Sequence, residues 1–259
     1  MANRGYRFDP SQMIAAAQPF RVPAGWIVGP NKFQAGEVPA EGYGGSSVLY
    51  LMRADRRLCI DVEWHPESDP NGHYHYYVEQ YAGPEGDAPD PGRLDSGESR
   101  SSGEVVAWVN HWLARGLAEA PTEGLPPDIG SGPAPEQLHP LRICSGWNIH
   151  RNALTTVPAI PAGSDPGGVR LFRAVDAARR LRLDVTTRAE SGGQVRYALE
   201  LVYSPWSRTE RGRRRTEVPL SFEGDVRRAH SIDTPVYADL VRELERCLWG
   251  VGAEIGEGH

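Results

Sequence analysis

Hydrophobic and polar residues alternate along three stretches in each half of the chain. Apolar side chains recur at alternate positions in residues 20–28, 58–64 and 74–78, and again in 141–149, 181–185 and 195–199, while the apolar residues 48–52 and 169–172 lead through turns at 54–56 and 176–178 into the middle stretch of each half. A period of two places these side chains on one face of a half-buried strand. Turn-forming residues such as Asp69-Pro70-Asn71-Gly72 separate the stretches. We therefore expect three or four antiparallel strands, connected in sequence, in each half.

A helical spacing follows the strands in both halves. Apolar residues recur at this spacing at Val105, Val106, Val109 and Leu113, and again at Leu240, Val241, Leu244 and Leu248. Residues 101–104 and 233–235 are typical helix starts, and Gly116 and Gly250 stand where helices commonly end. Each half is therefore predicted to end in an amphipathic helix that covers the apolar face of its strands.

The two halves also match in sequence. Phe20-Arg21-Val22 and Gly25-Trp26 return 121 residues later as Leu141-Arg142-Ile143 and Gly146-Trp147. Residues 56–62 return as 179–185 at an offset of 123, and residues 74–79 as 195–200 at an offset of 121. Three matches in the same order indicate a tandem duplication. The predicted fold class is α+β: two tandem copies of an antiparallel β-sheet unit, each closed by its C-terminal helix and related by a pseudo-two-fold axis.

This duplication predicts five parts along the chain. They are an N-terminal extension (1–18), a first repeat unit (19–116), a Pro/Gly-rich linker (117–139), a second repeat unit (140–251) and a tail (252–259). We expect the two repeats to pack against each other within the chain, with Trp26 and Trp147 in matching core positions.

Composition favours a cytoplasmic, non-catalytic protein. No apolar run approaches the roughly 20 residues that span a bilayer, and residues 1–10 lack the apolar core of a signal peptide. The three cysteines have no CxxC spacing, so we expect reduced thiols rather than a disulfide or thiolate metal site. The sequence contains no phosphate loop, dinucleotide fingerprint or nucleophile elbow, so no enzyme activity and no cofactor are predicted.

Charge is distributed unevenly between the halves. Residues 1–125 carry 17 acidic and 10 basic side chains, whereas residues 126–259 carry 17 and 18. Lys32 is the only lysine, and such arginine usage is typical of high-GC bacterial coding. An acidic surface complements a basic partner. We expect a bacterial protein-binding protein that masks a basic toxin or secreted effector, as an immunity protein, antitoxin or chaperone does.

The expected partner surface lies in the first half. Its candidate residues are Asp61, Glu63, Glu67, Asp69, Tyr77 and Glu79. They combine carboxylates with an aromatic side chain on the polar face of two neighbouring strands and on the turn between them.

Two alternatives use other residues. His65, His73 and His75 could bind zinc or another transition metal, as a metal-binding protein or a metal-dependent enzyme, because imidazole and carboxylate groups suit these ions. The second half replaces the latter two histidines with Gln194 and Arg196, which argues against this reading. The arginine-rich residues 208–215 could contact nucleic acid, but arginine bias and the net charge of −6 favour a solvated loop.

Overall fold

One antiparallel sheet and two helices make up the computed structural model of the chain, which describes residues 14, 16–36, 38–39, 41–45, 47–80, 92–118, 133–156, 168–190, 194–204 and 226–249. The strands are β1 (Ile27–Asn31), β2 (Ser47–Arg53), β3 (Leu58–His65), β4 (His73–Gln80), β5 (Arg93–Ser99), β6 (Asn148–Asn152), β7 (Val169–Asp176), β8 (Leu181–Ala189), β9 (Val195–Tyr203) and β10 (Arg227–Thr234). The helices are α1 (Ser102–Ala118), after β5, and α2 (Tyr237–Trp249), after β10.

The strands follow the order β10-β9-β8-β7-β6-β1-β2-β3-β4-β5 across the sheet. The prediction of two tandem units, each a sheet closed by its own helix, is therefore wrong, because both halves contribute to a single ten-stranded sheet. A five-stranded sheet would leave β1 or β6 with an unpaired edge, and exposed edges of this kind favour further strand pairing. Pairing β1 with β6 removes both edges at once.

Backbone hydrogen bonds join the halves along this central seam. The amide of Val28 donates to the carbonyl of Trp147 across 2.8 Å, and that of Ile149 donates to Trp26 across 2.9 Å. Side chains add to the seam, since Asn31 Nδ2 donates to the carbonyl of Ile143 at 2.7 Å. Asn152 Nδ2 donates to the carbonyl of Val22 at 2.9 Å.

The alternating segments at 20–28 and 141–149 contribute to the core without being strands throughout. Regular pairing starts only at Ile27 and Asn148. Gly25 and Gly146 precede these strands with φ of +91° and +103°, values that suit glycine and interrupt an extended strand. Trp26 and Trp147 nevertheless lie fully buried in one continuous hydrophobic core.

Both helices lie on the core face of the sheet. α1 contacts β3, β4 and β5, and α2 contacts β9 and β10. Val109, Leu113, Leu240 and Leu244 are fully buried against the sheet, which confirms the two predicted apolar helix faces. Neither helix in the described part of the chain is long and apolar enough to cross a membrane.

Strand pairing defines a second face, which we call the open face. Across the seam Ile27 pairs with Asn148, and these residues share a face with Asp61 on β3 and Asp184 on β8.

Several predicted parts lie outside the described residues: most of the extension (1–18), most of the linker (117–139), the whole tail (252–259) and the arginine-rich residues 208–215. The predicted unit boundaries stay predictions.

Candidate functional site

Carboxylates and a tyrosine converge on the open face of the first half. Asp61 of β3 pairs with Tyr77 of β4, and Glu63 lies two residues along β3 on the same face. The Tyr77 hydroxyl donates to Asp61 Oδ2 at 3.3 Å and can alternatively donate to Glu63 Oε1 at 3.4 Å. Ser47 Oγ donates to Asp61 Oδ1 at 3.1 Å. We call Asp61, Glu63, Tyr77 and Glu79 the acidic patch.

One arginine borders the acidic patch. Arg93 of β5 lies 4.4 Å from the centre of the Tyr77 ring and 3.3 Å from Glu79 Oε1. Among the described residues no lysine or arginine forms an ion pair with Asp61 or Glu63. The carboxylate of Glu63 instead contacts His65 Nε2 at 2.9 Å.

The uncompensated charge affects the acid–base properties of the patch. Partial burial raises the pKa of Asp61, and the neighbouring charge of Glu63 adds to this, although the Ser47 hydrogen bond lowers it. Burial and the charges of Asp61 and Glu63 also raise the pKa of Tyr77. The patch therefore holds its negative charges at a cost in free energy.

The corresponding position in the second half is neutralised. The carboxylate of Asp184 on β8 forms ion pairs with three arginines, Arg170 at 3.2 Å, Arg173 at 2.7 Å and Arg182 at 2.8 Å. Strand pairing makes Asp61 the counterpart of Asp184. The three arginines then correspond to Ser47, Tyr50 and Cys59 of the first half.

This pairing also corrects one detail of the sequence match. Asp61 faces Tyr77 on the next strand, whereas Asp184 faces Glu200. Glu200 is thus the counterpart of Tyr77, at an offset of 123, and not of Glu79 as the 121-residue match indicated. By the same pairing the counterparts of His73 and His75 are Arg196 and Ala198, and not Gln194 and Arg196. Glu79 pairs with Cys59 instead.

Two candidate residues lie apart from the acidic patch. Glu67 and Asp69 are in the turn between β3 and β4, and Glu67 is exposed. Asp69 serves the turn itself, because its Oδ1 accepts the amide of Asn71 at 2.8 Å and its carbonyl accepts Trp64 Nε1 at 2.9 Å. The structure therefore groups only part of the predicted partner surface.

The three candidate histidines do not act as one group. His65 turns toward Glu63, as described above, whereas His73 and His75 face each other with their Nε2 atoms 2.9 Å apart. Glu98 of β5 completes this second group, with carboxylate oxygens 3.6 Å from His73 Nε2 and 3.4 Å from His75 Nε2. We call His73, His75 and Glu98 the His-Glu cluster.

Sequence reasoning missed Glu98, although a signal for it existed. The two helices match at an offset of 135, and the same offset relates Glu98 to Asp233 of β10. Strand pairing bears this out, because Glu98 faces His75 and Asp233 faces Ala198, the counterpart of His75.

The open face of the second half carries a depression of about 350 Å³ near Asp184, Ala198, Glu200, Arg228 and Asp233. Its charged side chains are already paired. Arg228 contacts Glu200 at 2.7 Å, and Asp233 contacts Arg188 at 2.7 Å. By contrast, Asp61 and Glu63 of the acidic patch and all three members of the His-Glu cluster have no contact with a lysine or arginine among the described residues.

Comparison of the chain with models of protein families, with curated proteins and with solved structures gives no match.

Proposed function

We propose that this protein binds a basic protein partner through the acidic patch and acts without catalysis. The observation that carries the proposal is the contrast between Asp61 and Asp184. The same strand position has three arginine partners in the second half and no cationic partner among the described residues of the first. A partner's lysine or arginine would supply the missing charge.

Physical chemistry favours such a partner. Asp61 and Glu63 lie close enough to share the Tyr77 hydroxyl, and their mutual repulsion is relieved when an opposite charge comes within about 4 Å. Tyr77 adds an amphipathic ring of the kind enriched at protein interfaces. The interface would combine charge pairing with aromatic contact.

The kind of protein that uses such a surface is an immunity protein, antitoxin or chaperone that masks a basic toxin or effector in a bacterium. We place this activity in the cytoplasm, where the three free cysteines would stay reduced. Neither nucleic acid nor a membrane surface suits the acidic patch, because both carry negative charge.

Affinity capture from the native lysate tests the proposal with a matched pair of variants. Glu63→Lys reverses a charge within the patch, and Glu136→Lys makes the same change at an exposed residue in the short helix at Pro135–Gln137. We expect the wild type and Glu136→Lys to retain one basic protein that Glu63→Lys loses. Raising the salt concentration from about 0.05 to about 0.5 M should release it, because salt screens exposed charges.

Titration of the purified wild type and of each variant with the captured partner then measures their affinities for it. Retention of the same protein by both variants, or capture of an acidic protein that resists salt, would contradict the proposal. Turnover of a substrate by the purified protein would contradict its non-catalytic part.

A further inference from the structure

The His-Glu cluster has donor atoms spaced like the ligands of one metal ion. The Nε2 atoms of His73 and His75 lie 2.9 Å apart, one carboxylate oxygen of Glu98 lies 3.4 Å from His75 Nε2, and the other lies 3.6 Å from His73 Nε2. Zinc bonds nitrogen and oxygen at about 2.0–2.2 Å, so two ligands of a tetrahedral site lie about 3.3 Å apart. One ligand atom from each of the three residues lies within 4.8 Å of the other two, so small side-chain adjustments would bring all three to one ion.

We propose that His73, His75 and Glu98 bind a Zn²⁺ ion. Two imidazole nitrogens and a carboxylate oxygen are a common three-ligand set for this ion. Three protein ligands leave a fourth position, which water or an atom of a bound molecule would fill.

Strand geometry holds the three ligands in place. His73 and His75 are two residues apart on β4 and so share a face, and Glu98 pairs directly with His75 across β4 and β5. On the opposite face of the same two strands the Tyr76 ring lies against Gly97, where a Cβ would come within 2.6 Å of it. The cluster is thus built on strands and not on a loop.

The residues of the second half that correspond to the His-Glu cluster include no histidine. The counterparts of His65, His73 and Glu98 are Arg188, Arg196 and Asp233. Arg188 and Arg196 contact the Asp233 carboxylate at 2.7 and 2.6 Å, so guanidinium groups bind the carboxylate there. In the first half His73 takes the place of Arg196 beside Glu98, His75 is added where the second half has Ala198, and His65, the counterpart of Arg188, contacts Glu63 instead. A cation bound between Glu98 and the two imidazoles would restore the charge balance.

Neighbouring charge favours a cation as well. Glu63 pairs with His75 on the side opposite to Glu98, and Asp61 lies next along the same face. Arg93 is directed to Glu79 and Tyr77 at the other end of β4. The site does not depend on the proposed partner, since all three ligands come from this chain.

Calorimetric titration of the metal-free full-length protein with ZnCl₂ tests the assignment. We expect one Zn²⁺ per chain and a melting temperature that rises with Zn²⁺ concentration. His75→Ala and Glu98→Gln should each weaken Zn²⁺ binding at least about tenfold, and His73→Ala/His75→Ala should abolish it. The Co²⁺-loaded wild type should show the visible absorption of a tetrahedral site, absent from the double variant.

Two further variants make the result decisive. His111→Ala removes an exposed histidine of α1 and should leave Zn²⁺ affinity unchanged. His65→Ala removes the histidine whose ring lies 5.0 Å from that of His75, and it should also bind normally. Loss of Zn²⁺ with His65→Ala but not with Glu98→Gln would overturn the ligand assignment. Absence of stoichiometric binding by the wild type would overturn the site altogether. Unfolding curves without metal verify that each variant is folded.

Discussion

The indole nitrogen of Trp112 donates a hydrogen bond to Asp95 Oδ2 across 2.9 Å and so fastens α1 to the edge strand β5. Trp108 donates to the same oxygen, also at 2.9 Å. Both bonds hold the pKa of Asp95 below its usual range, and the bond from Trp112 has the larger effect. Helix and strand are thus joined by a carboxylate in addition to apolar packing.

Replacing this carboxylate should weaken the protein in a pH-dependent way. Asp95→Asn should lower the free energy of unfolding by about 1 kcal/mol at pH 7, a modest value because the group is largely open to solvent. Since the folded state lowers the pKa of Asp95, its stabilisation is present above about pH 4 and is lost as the pH falls further. The difference between wild type and variant should therefore shrink in acid.

Urea unfolding curves between about pH 3 and pH 7 measure this difference. Glu136→Gln is the control, because it removes an exposed carboxylate and should change stability little at any pH. A gap for Asp95→Asn that stays constant down to pH 3 would refute the role of the ionised carboxylate.

The two edge strands, β5 and β10, were not predicted from the sequence. Strands β2, β3, β4, β7, β8 and β9 follow the alternation of apolar residues, and α1 and α2 follow the helical spacing, so periodicity predicted all of them. β5 and β10 are mainly polar, because an edge strand with one open face buries few side chains. The only leucine, valine, isoleucine or aromatic residue of β5 is the exposed Leu94, so no apolar alternation marks Asp95, and its indole partners identify it only in three dimensions.

The internal sequence match likewise predicted repeated elements but not how they join. Asn31 and Asn152 recur at the offset of 121, yet their bonds to carbonyls of the other half are set by tertiary structure. Pairing of β1 with β6 depends largely on backbone groups, which every sequence supplies. One continuous sheet and two separate units therefore share the same hydrophobic pattern.

The candidate site was predictable in part. Period-two alternation correctly placed Asp61, Glu63, Tyr77 and Glu79 on one face. It did not show that Glu67 and Asp69, in the turn, lie apart from the acidic patch. It also did not assign Glu98 to the histidines, because β5 was not predicted and only the 135-residue offset, which the alternation does not contain, related Glu98 to Asp233.

Asp61 and Asp184 should respond to the same substitution in opposite directions. Asp184→Asn should destabilise the protein by about 2 kcal/mol, because it leaves Arg170, Arg173 and Arg182 without their shared carboxylate. Asp61→Asn should stabilise it by about 0.5 kcal/mol at pH 7, a value reduced for solvent screening. The fold raises the pKa of Asp61, so its charged form is penalised at neutral pH.

The sign of the Asp61 effect gives it a characteristic pH profile. Because the folded pKa is raised, the penalty is absent below the usual pKa near 4 and complete once the pH exceeds the raised value. The gain from Asp61→Asn should accordingly disappear as the pH falls to about 3. Thermal unfolding at several pH values measures this gain. If Asp61→Asn destabilised the protein at pH 7 as much as Asp184→Asn, the charged form of Asp61 would not be penalised in the folded protein.

Trp26 and Trp147 are both fully buried, but among the described residues only Trp147 has a hydrogen-bond partner for its indole nitrogen. Trp147 Nε1 donates to the carbonyl of Leu248 at 2.9 Å, near the end of α2. Trp26 Nε1 is buried with no acceptor in the described part of the chain, and its ring lies against Gly116 of α1. The two indoles thus hold corresponding sequence positions with unequal polar contacts.

Substitution by phenylalanine separates these contacts from packing. Trp26→Phe and Trp147→Phe remove the same atoms from a fully buried site, so both should destabilise the protein through lost packing. Trp147→Phe also loses a hydrogen bond, whereas Trp26→Phe removes an unpaired buried donor that is itself unfavourable. The decrease in unfolding free energy should therefore be larger for Trp147→Phe by about 1 kcal/mol or more. Urea denaturation of both variants at pH 7 measures the difference, and equal losses would mean that the bond to Leu248 contributes nothing to stability.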